Sequence, residues 1–369
     1  MQDPLPLLQD LIRRPSLTPD DAGCQDAVGG ILRAAGFNLR TLSAAGVTNL
    51  WATHGVGGPV LVFNGHTDVV PTGPRESWTS PPFSAEIRDG MLIGRGAVDM
   101  KASVAAMTVA AAEVARAGHG GTLAVLLTSD EEGPAIHGTA WALEQLLTEG
   151  QRIDAALVIE PTSEDHFGDA VKTGRRGSVT AVLTWTGRQG HTAYPHLADN
   201  AAHRMTLDLA RILAFDWARP DHGFPATSVQ TAALQSGAGA DNVIPGAASA
   251  RINVRFGPAW PLEELTHALA KLAPAARLEI EGNALPFTTG EGPLLEALAA
   301  AVAAEVGAPP RRSNGGGTSD ARWFAARGIP VAEFGPLNAT LHAIDERVEV
   351  ACLMPLARIY ADAAHRFLG

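Results

Sequence analysis

The chain has little cysteine: Cys24 and Cys352 are the only two in 369 residues. That excludes a disulfide framework and leaves reduced thiols as the expectation. Basic residues are also scarce, with 28 Lys and Arg against 39 Asp and Glu and a formal net charge of −11. Such a balance argues against a nucleic-acid or anionic-membrane partner and for a small molecule. No unbroken apolar run approaches membrane-spanning length, and Met1-Gln2-Asp3-Pro4-Leu5 lacks the basic start and apolar stretch of a secretion signal, so a cytoplasmic location is expected. A Gly-x-Ser-x-Gly elbow is absent, which removes the support for an acyl-enzyme route. The single glycine run, Gly315-Gly316-Gly317, lacks the lysine of a phosphate-binding loop and reads instead as a tight, substrate-facing turn. There is no internal repeat, low-complexity segment or charge block.

What remains is the composition of a packed protein, 46% hydrophobic and 18% charged, in a chain longer than one compact core usually holds. Three apolar runs end in polar turns: Val60-Leu61-Val62-Phe63 before Asn64-Gly65-His66-Thr67-Asp68, Leu123 to Leu127 before Ser129-Asp130-Glu131-Glu132-Gly133, and Ala155 to Ile159 before Glu160-Pro161-Thr162. Helical patterns separate them, from Met100 to Arg116 and from about His137 to Glu149, each closed by glycine. Strand, helix, strand, helix predicts an α/β domain with a mixed, mostly parallel sheet flanked by helices. The carboxyl ends of such strands open on one edge, where ligands collect. His66, Asp68, Glu131, Glu132 and Glu160 all fall just past those ends. Asp99 follows another short strand, Met91-Leu92-Ile93, and a turn at Gly94-Arg95-Gly96 that the two glycines permit.

Past about Lys172 the pattern changes to strands at Val179–Trp185, Thr227–Leu234, Ala248–Phe256 and Ala276–Ile280, with helices from about Asn200 to Phe215 and from Pro261 to Ala273. This predicts an α+β unit of two helices on an antiparallel sheet, inserted into the first domain, which resumes at the alanine-rich pattern from Gly292. The boundaries follow as 1–176 and 288–369 for one domain and 177–287 for the insertion.

Most isolated histidines are solvated or structural, and His54, His119, His137, His166, His203, His222, His267 and His365 are set aside on that ground. His66 is different, because Asp68 two residues on could orient one ring nitrogen while the other binds a metal. Glu131 and Glu132 could divide labour, one as ligand and the other as proton shuttle. An all-oxygen-and-nitrogen set without cysteine suits two zinc-like ions and amide hydrolysis.

Gly65-His66-Thr67-Asp68-Val69-Val70-Pro71, Gly94-Arg95-Gly96-Ala97-Val98-Asp99-Met100-Lys101, Ser129-Asp130-Glu131-Glu132-Gly133 and Glu160-Pro161-Thr162 resemble, in this order and spacing, the metal-site motifs of the M20 family of co-catalytic zinc amidohydrolases and peptidases. The resemblance implies two Zn2+, with Co2+ able to substitute. One ion would sit on His66, Asp99 and Glu160, the other on Asp99, Glu132 and His342, with Asp99 bridging. It further implies that Asp68 orients His66, that Glu131 is the general base and later acid, and that the insertion is a dimerisation domain. His191 would reach from that domain into the active site of the partner in a homodimer. Arg175, Ser178, Tyr194, Asn242, Gly317, Thr318 and Asn338 match substrate-contacting positions. The segments that hold them narrow the resemblance to deacylases of small polyanionic N-acyl amino acids, for which the fork of Arg175 is suited. An N-acetyl amino acid deacylase or aminoacylase is the alternative within the family. A non-catalytic dimeric relative is disfavoured because the base and every ligand are present.

Overall fold

The computed structural model describes every residue except His222 and Ala238, and Asn283 without its side chain; His222, set aside above, therefore lies outside the described residues. Two compact units result. The first comprises 1–173, 289–313 and 319–369, and the second 174–288 with 314–318.

The first unit is α/β. Its eight-stranded sheet runs in the order Asn38–Ala44, Val47–Gly55, Thr122–Thr128, Val60–His66, Ala155–Val158, Val331–Glu333, Ala170–Lys172, Arg311–Ser313. The central pairings are parallel, Val60–His66 lying between Thr122–Thr128 and Ala155–Val158. Antiparallel pairs enter at the Asn38–Ala44/Val47–Gly55 hairpin, at its junction with Thr122–Thr128 and beside Ala170–Lys172. Val60–His66 is buried along its whole length, as a strand covered on both faces must be. Met91–Ile93 is not part of this sheet; it joins a small antiparallel one with Glu86–Arg88 and Arg347–Glu349.

Helix Ala102–Ala117 buries nearly every side chain, and its alanines allow close packing against the strands and the terminal helix Leu353–Leu368. Phe63, Val104, Met107, Val125, Leu127, Leu157, Phe334 and Tyr360 belong to the same core. The Tyr360 hydroxyl satisfies itself by donating to the Phe334 carbonyl at 2.8 Å. Lys101, fully buried at the head of this helix, donates its ammonium to the carbonyls of Leu11 and Arg14 at 2.8 and 2.9 Å. It thereby closes the carboxyl end of helix Leu5–Arg13, where unpaired carbonyls favour a cation.

The second unit is α+β. An antiparallel sheet in the order Ser228–Ser236, Ala247–Phe256, Gly177–Thr186, Ala276–Ala284 packs on helices Ala201–Ala214 and Leu262–Leu272. Val179, Ala181, Leu183 and Trp185 alternate into the core, the two-residue period of a strand covered on one face. Asn200 caps the first helix by accepting from the amides of Ala202 and His203. The buried Trp185 indole donates to Asp208 Oδ2 at 2.7 Å. Cys24 and Cys352 are both free and buried. Among the described residues no helix is long and apolar enough to cross a membrane.

Candidate active site

Three neighbouring parallel strands deliver most of the site. His66 stands opposite Thr128 in the sheet register and Asn64 opposite Val158, so the turns that follow these strands emerge side by side. Asp99 reaches the same place from the kinked turn Ala97–Lys101, where Asp99 and Met100 leave helical backbone angles. His342 comes from a loop near the carboxyl end and adopts a φ of 56°, a left-handed conformation that few non-glycine residues hold.

The expected ligands resolve into two sets that share Asp99. The His66, Asp99 and Glu160 ligand atoms lie within 4.8 Å of one another, as do those of Asp99, Glu132 and His342. His66 Nε2 is 3.1 Å from Asp99 Oδ1 and 3.9 Å from Glu160 Oε1. His342 Nε2 is 3.2 Å from Asp99 Oδ2 and 3.0 Å from Glu132 Oε1. Each oxygen of Asp99 thus faces one set.

The donor set fits divalent cations. Burial drives the carboxyls of Glu131 and Glu160 well above the ordinary range, with the other acids of the cluster adding to it and His66 opposing. His342 is raised to about 10 by its hydrogen bonds to Asp99 and Glu132. For His66, burial works toward the neutral form, yet Asp99, Asp68 and Glu131 lift it well above the usual imidazole range. Asp99, despite burial, is held low by the two imidazoles. Glu131 and Glu160 pushed toward protonation, and both imidazoles pushed toward charge, describe a pocket short of positive charge, which cations between the carboxylates would supply.

Asp68 holds the site in a way the spacing did not predict. His66 Nδ1 meets the Asp68 backbone carbonyl at 2.9 Å, while the carboxylate stays 3.6 Å away. The carboxylate instead accepts the amides of Glu131 and Glu132 at 3.3 and 3.2 Å, so it pins the turn that carries both glutamates.

Sequence reasoning passed over several residues. Asp130 accepts the amides of Ala135, Ile136 and His137 and so shapes the remainder of that turn. Asp320, buried and raised by burial, faces Glu131 electrostatically. Glu346 and Arg95 form a buried ion pair at 2.7 Å. The available signal was that Arg95 and Asp130 sit inside motifs already recognised and Asp320 two residues past Thr318; Glu346 had none.

Asn338 lies in the first unit, its amide donating to the Ser163 carbonyl at 3.0 Å. The other predicted contact residues belong to the second. There Gly190–His191 pairs with Val243–Ile244, and the Thr192 amide donates to the Asn242 carbonyl, gathering His191, Tyr194 and Asn242 around one small ladder. The rings of His191 and Tyr194 are 5.8 Å apart, and His191 Nδ1 accepts the Ala193 amide, an arrangement that leaves the proton of a neutral ring on Nε2. Ser178 Oγ accepts from Asn253 at 3.1 Å. Arg175 is buried, and a Cβ at Gly316, where φ is 95°, would stand 2.5 Å from its guanidinium. The left-handed φ favours glycine there, and a side chain would also displace the guanidinium; Gly317 and Thr318 follow directly.

The chain belongs to peptidase family M20/M25/M40, whose model matches residues 62–366. It is an enzyme of a hydrolase family. Among curated relatives it is 49% identical to a succinyl-diaminopimelate desuccinylase of Halorhodospira halophila, covering 100% of this chain and 99% of that one. It is also 46% identical to one of Thioalkalivibrio sulfidiphilus over 100% of both. The fold matches that of an M20 family metallo-carboxypeptidase from Sulfolobus solfataricus with a TM-score of 0.81 at 16% identity, covering 100% and 99% of the two chains. A dinuclear metal binding M20 peptidase from Bacillus subtilis matches with a TM-score of 0.75 at 16% identity, covering 99% and 97%.

Proposed function

We propose that this enzyme hydrolyses N-succinyl-LL-2,6-diaminopimelate to succinate and LL-2,6-diaminopimelate, a cytoplasmic step in diaminopimelate and lysine biosynthesis. The observation that carries the reading is the pair of ligand sets joined through Asp99, with Glu131 beside them and in neither; the full-length likeness to desuccinylases supports the substrate. His66, Asp99 and Glu160 would hold one Zn2+, and Asp99, Glu132 and His342 the other, with Co2+ an effective substitute. Two bound divalent cations would polarise the scissile carbonyl and acidify a water at neutral pH.

Glu131 takes the proton of the attacking water and returns it to the leaving amine. Asp68 keeps Glu131 in place through the turn it pins. Arg175, Ser178, Tyr194, Asn242, Gly317, Thr318 and Asn338 bind the substrate, the guanidinium of Arg175 pairing with a carboxylate. The second unit serves as the dimerisation domain, and His191 completes the site of the partner subunit by stabilising the developing oxyanion.

Release of succinate by wild type and Glu131→Ala, with metal content measured on both, tests the reading. The variant is expected to retain its metal and to lose about 10²- to 10⁴-fold in kcat; undiminished turnover would overturn the base assignment. Faster turnover of an N-acetylated substrate than of the succinylated one would overturn the substrate.

A further inference from the structure

We propose that the Arg95–Glu346 pair is a positioning device for the second metal site, tying the main chain of Asp99 to that of His342. The inference rests on the metal-binding reading above and goes beyond its ligands.

Glu346 is fully buried and Arg95 nearly so. Oε1 of Glu346 accepts the amides of Val98 and Asp99 at 2.8 and 3.0 Å. Oε2 accepts the Gly96 amide at 3.0 Å and Arg95 Nη1 at 2.7 Å. One carboxylate therefore gathers three amides of the turn that aims Asp99, including that of Asp99 itself. Arg95 extends the connection. Its Nη1 also donates to the Ala343 carbonyl at 3.2 Å, and Nη2 to the carbonyls of Pro71 and His342 at 3.3 and 3.4 Å. The guanidinium lies 5.3 Å from the centre of the Trp78 ring, whose indole is anchored on the Thr72 carbonyl at 2.9 Å. The peptide groups around His342, in their left-handed conformation, are thus gripped by the same ion pair that shapes the Asp99 turn.

The two ligand sets depend on this device unequally. The second, Asp99, Glu132 and His342, takes two of its three ligands from the segments the pair holds. The first shares only Asp99, while His66 ends the buried strand Val60–His66 and Glu160 follows strand Ala155–Val158 by two residues. Loosening the pair should therefore weaken the second site more than the first. Each Glu346 oxygen receives two donors, so an amide nitrogen at either position would face two N–H groups with no lone pair to offer. Glutamine is accordingly no conservative replacement. Lysine for Arg95 keeps the charge opposite Glu346 but loses the planar fork that spans the carbonyls of Ala343, His342 and Pro71.

The test is calorimetric titration of Co2+ into metal-free wild type, Glu346→Gln, Arg95→Lys and His342→Ala, the last identifying the heat of the second site. Chemical unfolding of each metal-free form is measured in parallel. Wild type should take up two ions. Glu346→Gln and Arg95→Lys should bind the second about 10- to 100-fold more weakly, the range for groups that orient metal ligands, and the first within a few-fold of wild type. Should Glu346→Gln fail to fold, Arg95→Lys carries the same test. Wild-type affinity for both ions in the variants, whatever their loss of stability, would overturn the positioning role. A wild type that binds fewer than two ions would overturn the metal reading itself, and this inference with it.

Discussion

Asp68→Asn separates two ways of holding a metal-binding histidine and a general base. If the Asp68 carboxylate served chiefly to orient His66, the substitution would loosen that ring. In this structure the ring is held instead by the Asp68 carbonyl at 2.9 Å, a main-chain contact that the substitution leaves intact, while the carboxylate is 3.6 Å from Nδ1. What asparagine removes is one of two acceptors for the amides of Glu131 and Glu132. A hydrogen bond to a charged group contributes about 1.5–3 kcal/mol. At about 1.4 kcal/mol per tenfold, misplacing the glutamate turn by that amount lowers kcat by about 10- to 150-fold. Steady-state succinate release with metal analysis of the same samples is the assay. The expected variant keeps two metal ions and a residual rate in that range. Loss of the first metal ion, or unchanged kcat, would refute the assignment of the carboxylate to the turn rather than to His66.

Mixing inactive Glu131→Ala with inactive His191→Ala under conditions that exchange subunits should restore activity to about a quarter of wild type, since half the dimers are mixed and each has one complete site; no recovery on confirmed exchange would remove His191 from the partner's site. Lys101→Met leaves the carbonyls of Leu11 and Arg14 without their buried donor, with an expected loss of about 1–3 kcal/mol in urea unfolding, and an unchanged midpoint would contradict it. Hydrogen bonds from Lys172 and then Arg311 hold the Glu164 carboxyl at about 2, below its ordinary 4.5. Because the folded value is depressed, the stabilisation is present above the unfolded value and fades as pH falls from about 4.5 towards 2. Glu164→Gln should thus be less stable at neutral pH by about 1 kcal/mol, after allowing for solvent screening of this partly exposed group, with the gap to wild type closing in acid. A gap that persists unchanged below pH 4 in metal-free protein would count against the linkage.

Not all of the fold was legible in the chain. Long elements with clear periodicity were: the parallel strands, helix Ala102–Ala117, and the antiparallel strands of the second unit fall where the patterns put them, displaced by a few residues at their ends. The amino-terminal hairpin Asn38–Gly55 escaped notice because neutral polar and apolar residues mix along it, with Asn38–Ala44 largely exposed. Three-residue strands such as Ala170–Lys172 and Arg311–Ser313 are too short to carry a period. Met91–Ile93 was recognisable as a strand, but its partners Glu86–Arg88 and Arg347–Glu349 were not.

By itself the sequence determined which side chains can do chemistry, since an apolar run that stops at His66, Glu131 or Glu160 obliges a polar group to stand at the end of a buried strand. Tertiary structure alone decided their neighbours. Sheet order places Val60–His66 between two strands that follow it in the chain, and Asp99 turns one oxygen to each ligand set. Glu346 reaches the Asp99 turn from 247 residues away. The physical reason is that periodicity records only whether a residue faces the core. Which two distant turns share a carboxylate depends on strand order and on hydrogen bonds that no local pattern encodes.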